Sequence, residues 1–165
     1  MATRGAAYGD TGRYAEAIAD CANALLIDPQ SARARRSLAG LYARKGEGDK
    51  VIAECTEVLR IEAHDVYALV ARAAAYVARG EYDRAIADCT QALKLHPKNC
   101  DAYANRAAAY FGKAEYGKAV ADTTEAIRLG LSTAANYANR AAAYRALGEA
   151  DKAAANERKA KELDK

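Results

Sequence analysis

The chain has 165 residues and a formal net charge of +3, from 25 Lys and Arg against 22 Asp and Glu, a balance too mild for the clustered basic stripe of a nucleic-acid binder. Hydrophobic residues are 52% of it and charged residues 28%. No uncharged apolar run approaches the roughly 18 residues that span a bilayer, and residues 1–12 lack the layout of a signal peptide. The expectation is a helical protein inside the cell, in the cytoplasm, with neither nucleic acid nor membrane among its partners.

One unit accounts for the whole length. YANRAAAY at 103–110 recurs letter for letter at 137–144, and rows of 34 residues align without insertion or deletion. Tyr8, Tyr42, Tyr76, Tyr110 and Tyr144 share one column; Gly12, Gly46, Gly80, Ala114 and Gly148 share another; Ala17, Val51, Ala85, Ala119 and Ala153 a third. Self-similarity at a fixed period of this size is the signature of a stacked array.

Taken in chain order, the first row spans 1–31 and predicts helices at 1–11 and 14–27, with a turn at Gly12. The first of these carries Gly5 and Gly9, each unfavourable by about 1 kcal/mol relative to Ala in a helix interior, so it is expected to fray. The second row, 32–65, predicts helices at 32–45 and 48–61; the third, 66–99, at 66–79 and 82–95; the fourth, 100–133, at 100–113 and 116–129. The fifth, 134–165, predicts helices at 134–147 and 150–163. Each turn glycine suits the left-handed conformation that closes a helix, and Pro29 and Pro97 punctuate the passage to the next row by disfavouring helix in the residue before them. Within the fourth row Tyr103, Ala107 and Tyr110 form one helical stripe and Ala119, Val120, Thr123, Ala126 and Ile127 another. In the last row Glu157 and Lys161 replace the small and apolar residues of their columns; arrays need a polar terminal element, and 150–163 reads as that cap.

The period, the Tyr in each first helix, the Gly at the turn, the Ala at two close crossings and the Pro after the second helix resemble the tetratricopeptide repeats over the whole chain. The resemblance implies an all-α, right-handed superhelical solenoid of helix-turn-helix units whose first helices line a concave groove. It also implies a protein-interaction role, while leaving the partner open, since one fold serves many functions.

The groove residues follow from helical geometry. With Tyr103 at zero and about 100° per residue, Asp101, Ala104, Asn105, Ala108, Phe111 and Gly112 fall on the side away from the Tyr stripe. Translation by one row adds Arg33, Arg36 and Arg44, then Tyr67, Val70 and Val77, then Asn139 and Arg145. The three arginines of the second row have little acid of their own on that face, so they favour an acidic segment or a C-terminal carboxylate. Asn105 and Asn139 each offer a donor and an acceptor to a peptide backbone, or are merely tolerated on a solvated surface. Some family members grip a C-terminal carboxylate with Lys and Asn from three consecutive units; no three consecutive rows here supply that set.

Catalysis and metal binding find no support. There is no Gly-rich phosphate loop, Gly-x-Ser-x-Gly elbow or His-x-x-x-His pair. Cys21, Cys55 and Cys89 occupy one column, so they sit on successive stacked helices about 8–10 Å apart, too far for a disulfide and not convergent on a metal; they read as small buried residues. Arg72 and Arg106 are expected to pair with Asp88 and Asp122. The expectation is a non-enzymatic scaffold without cofactor that binds a protein or peptide. The alternatives are an array that self-assembles through its N-terminal edge as a homo-oligomer, and an accessory domain of a larger protein.

Overall fold

Every predicted first helix from the second row onward begins just after a side chain able to cap it. The computed structural model describes the backbone of residues 2–164 and the side chains of 13–164. Its nine helices among those residues are α1 (Ala2–Ile27), α2 (Ala32–Arg44), α3 (Gly48–Ile61), α4 (Val66–Ala78), α5 (Tyr82–Leu95), α6 (Cys100–Gly112), α7 (Tyr116–Arg128), α8 (Ala134–Ala146) and α9 (Ala150–Leu163). Ser31, Asp65, Asn99 and Thr133 precede α2, α4, α6 and α8, and their side chains accept from the N–H groups of Ala34, Ala68, Ala102 and Asn136 at 3.4, 2.7, 2.8 and 3.2 Å. Each satisfies a donor that the first helical turn would leave unpaired.

The first helices end as the turn column predicts. Gly46, Gly80 and Gly148 take φ of 72°, 74° and 78°, and Ala114 takes 59°. The next N–H, that of Glu47, Glu81, Glu115 or Glu149, donates 2.9 Å to the carbonyl of Tyr42, Tyr76, Tyr110 or Tyr144, which is the Schellman closure. The same glutamates face cations across the turn: Glu47 meets Lys45 and Lys50, Glu81 meets Arg79 and Arg84, Glu115 meets Lys113 and Lys118.

The expected turn at Gly12 is absent, and α1 runs through it as one helix, so nine helices stand among the described residues where ten were expected. Row one has Arg13 and Glu16 where the other rows place the turn glutamate and the cation three residues on. The charges that brace the other turns are therefore reversed there.

Alanine sets the spacing of the packed helices. Ala39, Ala68, Ala73, Ala85, Ala92, Ala102, Ala109 and Ala126 are fully buried, and the largest fully buried side chains are only Val58, Cys55 and Cys89. Small side chains let the backbones approach closely, and the interior is filled by many short contacts rather than a few bulky ones. Ala102, Ala107 and Ala109 are the buried residues of α6, so of the stripe Tyr103, Ala107 and Tyr110 only the alanine is fully inside, while the two tyrosines are half-buried with the Arg106 guanidinium 5.5 and 6.0 Å from their rings.

Each helix packs on its neighbour in sequence. In addition α2 touches α4, α4 touches α6 and α6 touches α8, whereas α3, α5, α7 and α9 make no such contact with one another. A stack in which one set of helices is crowded and the other splayed curves toward the crowded set. The result is an all-α helical-repeat solenoid with α2, α4, α6 and α8 on its inner side.

Candidate functional site

The inner side opens into a chain of clefts, and the expected groove residues distribute over them unevenly. At the α2 end a cleft of about 550 Å³ is lined by Arg36, Ser37, Gly40, Leu41, Arg44 and Tyr67, with Ala17 and Cys21 of α1 behind them. Tyr67 reaches back from α4 so that its hydroxyl lies 3.0 Å from where a Cβ on Gly40 would stand. It is 49% exposed, and burial of the rest pushes its ionisation up while nearby Arg44 opposes that. The phenol therefore stays protonated near neutral pH, able to donate.

Of the three arginines expected in the groove, Arg36 is taken within the fold. Arg36 donates to Glu62 at 2.8 Å and to Asp65, and the bond to Asp65 raises its pKa above the ordinary guanidinium value. The expectation that it lacked acid of its own is corrected: Asp65 caps α4 with one oxygen and holds Arg36 with the other. Arg33 and Arg44 are exposed and unpaired among the described residues. Arg145 is likewise taken, by Glu157 of α9.

The middle of the inner side is a cleft of about 440 Å³ between α4 and α6, lined in part by Tyr67, Val70, Asp101 and Asn105. Asp101 is exposed. Asn105 donates 3.3 Å to the carbonyl of Val70 on the preceding first helix, so part of its capacity for a ligand backbone is spent inside the fold. Val77 turns inward, packing on the cluster of Ala73, Tyr76, Ala85, Cys89 and Ala109; its expected place on the groove wall is corrected to a place at the core's edge. Phe111, one row later in the same column, is 38% exposed and meets Tyr116 edge-on, with ring centroids 5.3 Å apart and planes at 65°. Asn139 is exposed and lines a smaller cleft with Phe111. Gly112, also expected in the groove, lies against Tyr82 of the preceding hairpin, where an added Cβ would overlap the ring.

The ion pairs expected behind the groove are present. Arg72 holds Asp88 through Nε at 2.8 Å and Nη2 at 2.9 Å, and Arg106 holds Asp122 in the same way. The remaining guanidinium nitrogen reaches Thr56 or Thr90 of the preceding second helix. In the second row, where Leu38 replaces the arginine, Arg35 covers Glu54 at 3.0 Å instead. Cys55 and Cys89 are buried, and burial pushes both thiols up to about 12; Cys21 is only half-buried. His64 and His96 are exposed. No three His, Cys, Asp or Glu side chains converge to hold a metal among the described residues, and no helix there is long and apolar enough to cross a membrane.

Two features escaped the sequence reading. The capping column Ser31, Asp65, Asn99 and Thr133 was visible as four capping-type residues at the repeat period, each just before a first helix. The threonines at 56, 90 and 124 share a column as well, but only the stacking of units shows that each receives an arginine from the next row.

The TPR repeat family pattern matches residues 73–113, and the Tetratricopeptide repeat family pattern matches residues 10–73. The chain belongs to the tetratricopeptide repeat family. Among solved structures it is similar to a crystal structure of MamA, with 22% identity and a TM-score of 0.83 over 94% of this chain and 91% of that one. It is also similar to MamA 41-end from Desulfovibrio magneticus RS-1, with 16% identity and a TM-score of 0.84 over 94% and 88% of the two chains. A thermophilic TPR protein of Thermus thermophilus matches with 22% identity and a TM-score of 0.74 over 98% and 88%. Identities this low speak to the fold alone. No curated protein sequence matches the chain.

Proposed function

We propose that this tetratricopeptide solenoid is a non-catalytic scaffold that binds an extended segment of another protein along α2, α4, α6 and α8. The observation that carries this reading is the run of clefts on the inner side, where Tyr67 and Phe111 remain part-exposed although each is large enough to pack. Half-buried aromatics beside polar groups are the usual anchors of a recognition surface. Arg33 and Arg44 give the α2 end its positive charge, so an acidic segment or a C-terminal carboxylate of the partner belongs there, its backbone running on toward Asn139. Peptides selected from a displayed linear library on the full chain test this. The selected peptides should carry acidic residues, and Arg33→Glu with Arg44→Glu should weaken binding and flatten its salt dependence, because exposed charges are screened within about 10 Å at 0.1 M salt. Unchanged affinity and salt slope in the double variant, with the helical signal intact, would remove the acidic segment from the proposal.

A second reading, self-association through the α1 end, is favoured by Leu26 and Ile27, which are 82% and 87% exposed. Sedimentation across a wide concentration range tests it; a monomer throughout would sink it.

A further inference from the structure

The cleft between α6, α7 and α8 differs in kind from the others on the inner side. It is small, about 130 Å³, and its walls are Ala107, Ala108, Phe111 and Ala142, with Thr123 and Asn139 as the polar members. Thr123 is buried and its hydroxyl donates 2.7 Å to the carbonyl of Ala119, so it offers the cleft no unspent donor. One unit earlier the same columns hold Val77, Cys89 and Asn105, and there the side chains are engaged within the fold. Val77 and Cys89 pack together in the core, and Asn105 ties α6 back to Val70 of α4. In the later unit Phe111 leans on Tyr116 instead, and Asn139 makes no corresponding bond back to α6. Helices α6 and α8 accordingly approach one another less closely than α4 and α6. The passage into α8 also departs from the others, with Gly130 at φ 109° and Leu131 bonded back to Ala126.

The geometry points to this cleft as the anchor for one apolar side chain of the bound segment, with the Asn139 carboxamide holding the segment's main chain beside it. The inference rests on the groove reading above and specifies its ligand. An apolar cavity of about 150 Å³ accepts benzene, so a space of this size with one open side suits a Leu, Ile, Val, Met or Phe side chain and excludes larger or charged ones. An exposed asparagine at its mouth offers a donor and an acceptor, which are what a peptide unit flanking that side chain needs.

The test uses the full chain and linear peptides selected on it from a displayed library. The selected peptides are expected to share one aliphatic or Phe position. Replacing that residue by Gly, Ala142→Leu in the protein, or Asn139→Ala should each weaken binding about ten-fold, equivalent to roughly 1.4 kcal/mol. The Gly peptide and Ala142→Leu together should be little worse than either alone, because they remove the same contact. Asn139→Ala alters only an exposed side chain, so it still reads the site if Ala142→Leu lowers the melting temperature. Binding that is lost in the Arg33→Glu, Arg44→Glu double variant but unchanged by Ala142→Leu and Asn139→Ala would overturn the anchor and leave the groove standing. Peptides indifferent to all four substitutions, or no selected peptides at all, would overturn both.

Discussion

Arg106 and Asp122 meet through two parallel hydrogen bonds, Nε to one carboxylate oxygen at 2.7 Å and Nη2 to the other at 2.9 Å, with side chains only 18% and 11% exposed. The bond to Asp122 raises the arginine's pKa above its ordinary value, and the pair joins the first helix of a unit to its second. Asp122→Ala leaves a half-buried guanidinium without its counter-charge, and a loss of about 1.5–3 kcal/mol is expected for hydrogen bonds to a charged group. Arg106→Met with Asp122→Leu should recover most of that, since apolar replacement of a buried pair is often nearly neutral. Urea unfolding of the three proteins checks this; a double variant no better than Asp122→Ala would show that the charges themselves stabilise the unit.

Ala114 stands at φ 59° where the other described turns have glycine. The left-handed conformation costs an L-residue roughly 1–2 kcal/mol, partly offset by the greater unfolded-state freedom of glycine, about 0.5–1 kcal/mol. Ala114→Gly should therefore stabilise the protein by somewhat under about 1 kcal/mol, a rise of a few degrees in melting temperature for a chain of this size. Gly80→Ala should move it the other way. Calorimetry decides; a lower melting temperature for Ala114→Gly would mean that the methyl group makes a contact worth more than the strain.

Gly112 ends α6 against the ring of Tyr82, which an added Cβ would overlap. Helix propensity alone makes Gly112→Ala favourable by about 1 kcal/mol. The expected result is a sign reversal: destabilising in the natural chain, stabilising when Tyr82→Ala has removed the ring. Thermal melts of the four combinations measure it, and a substitution favourable in both backgrounds would show that Tyr82 moves aside freely.

Burial pushes the Cys55 and Cys89 thiols up to about 12, above the roughly 8.5 of an exposed thiol. An acid whose folded pKa is raised is favoured in its protonated form by folding. Its contribution is complete below the unfolded value and falls away as pH rises from about 8.5 toward 12, by at most roughly 1.4 kcal/mol per unit for each thiol. Stability measured between about pH 8.5 and 10 should decline more steeply in the natural chain than in the Cys55→Ala, Cys89→Ala variant. In the folded protein a thiol reagent should reach the half-buried Cys21 and Cys100 well before the other two. Equal labelling of all four, or parallel pH slopes, would contradict the burial.

The repeat period by itself was enough to place the hairpins from the second row onward, the left-handed turns and the Arg72–Asp88 and Arg106–Asp122 pairs. Each of these depends on residues within one unit, and a column read down the rows supplies several copies of the same evidence of local preference. The angular position of a side chain on its own helix was legible for the same reason. What covers that side chain was not. Arg36 is neutralised by Asp65 at the start of the next unit, Val77 is drawn into the core while Phe111 in the same column stays part-exposed, and the α1 helix continues through Gly12. Asn105 and Asn139 sit in identical octapeptides, yet one is tied to Val70 and the other faces an open cleft. A helical wheel fixes direction at about 100° per residue, but the distance to the neighbouring helix is set by how whole units stack. That distance, decided only in the tertiary structure, determines which polar groups are spent inside the fold and which remain for a partner.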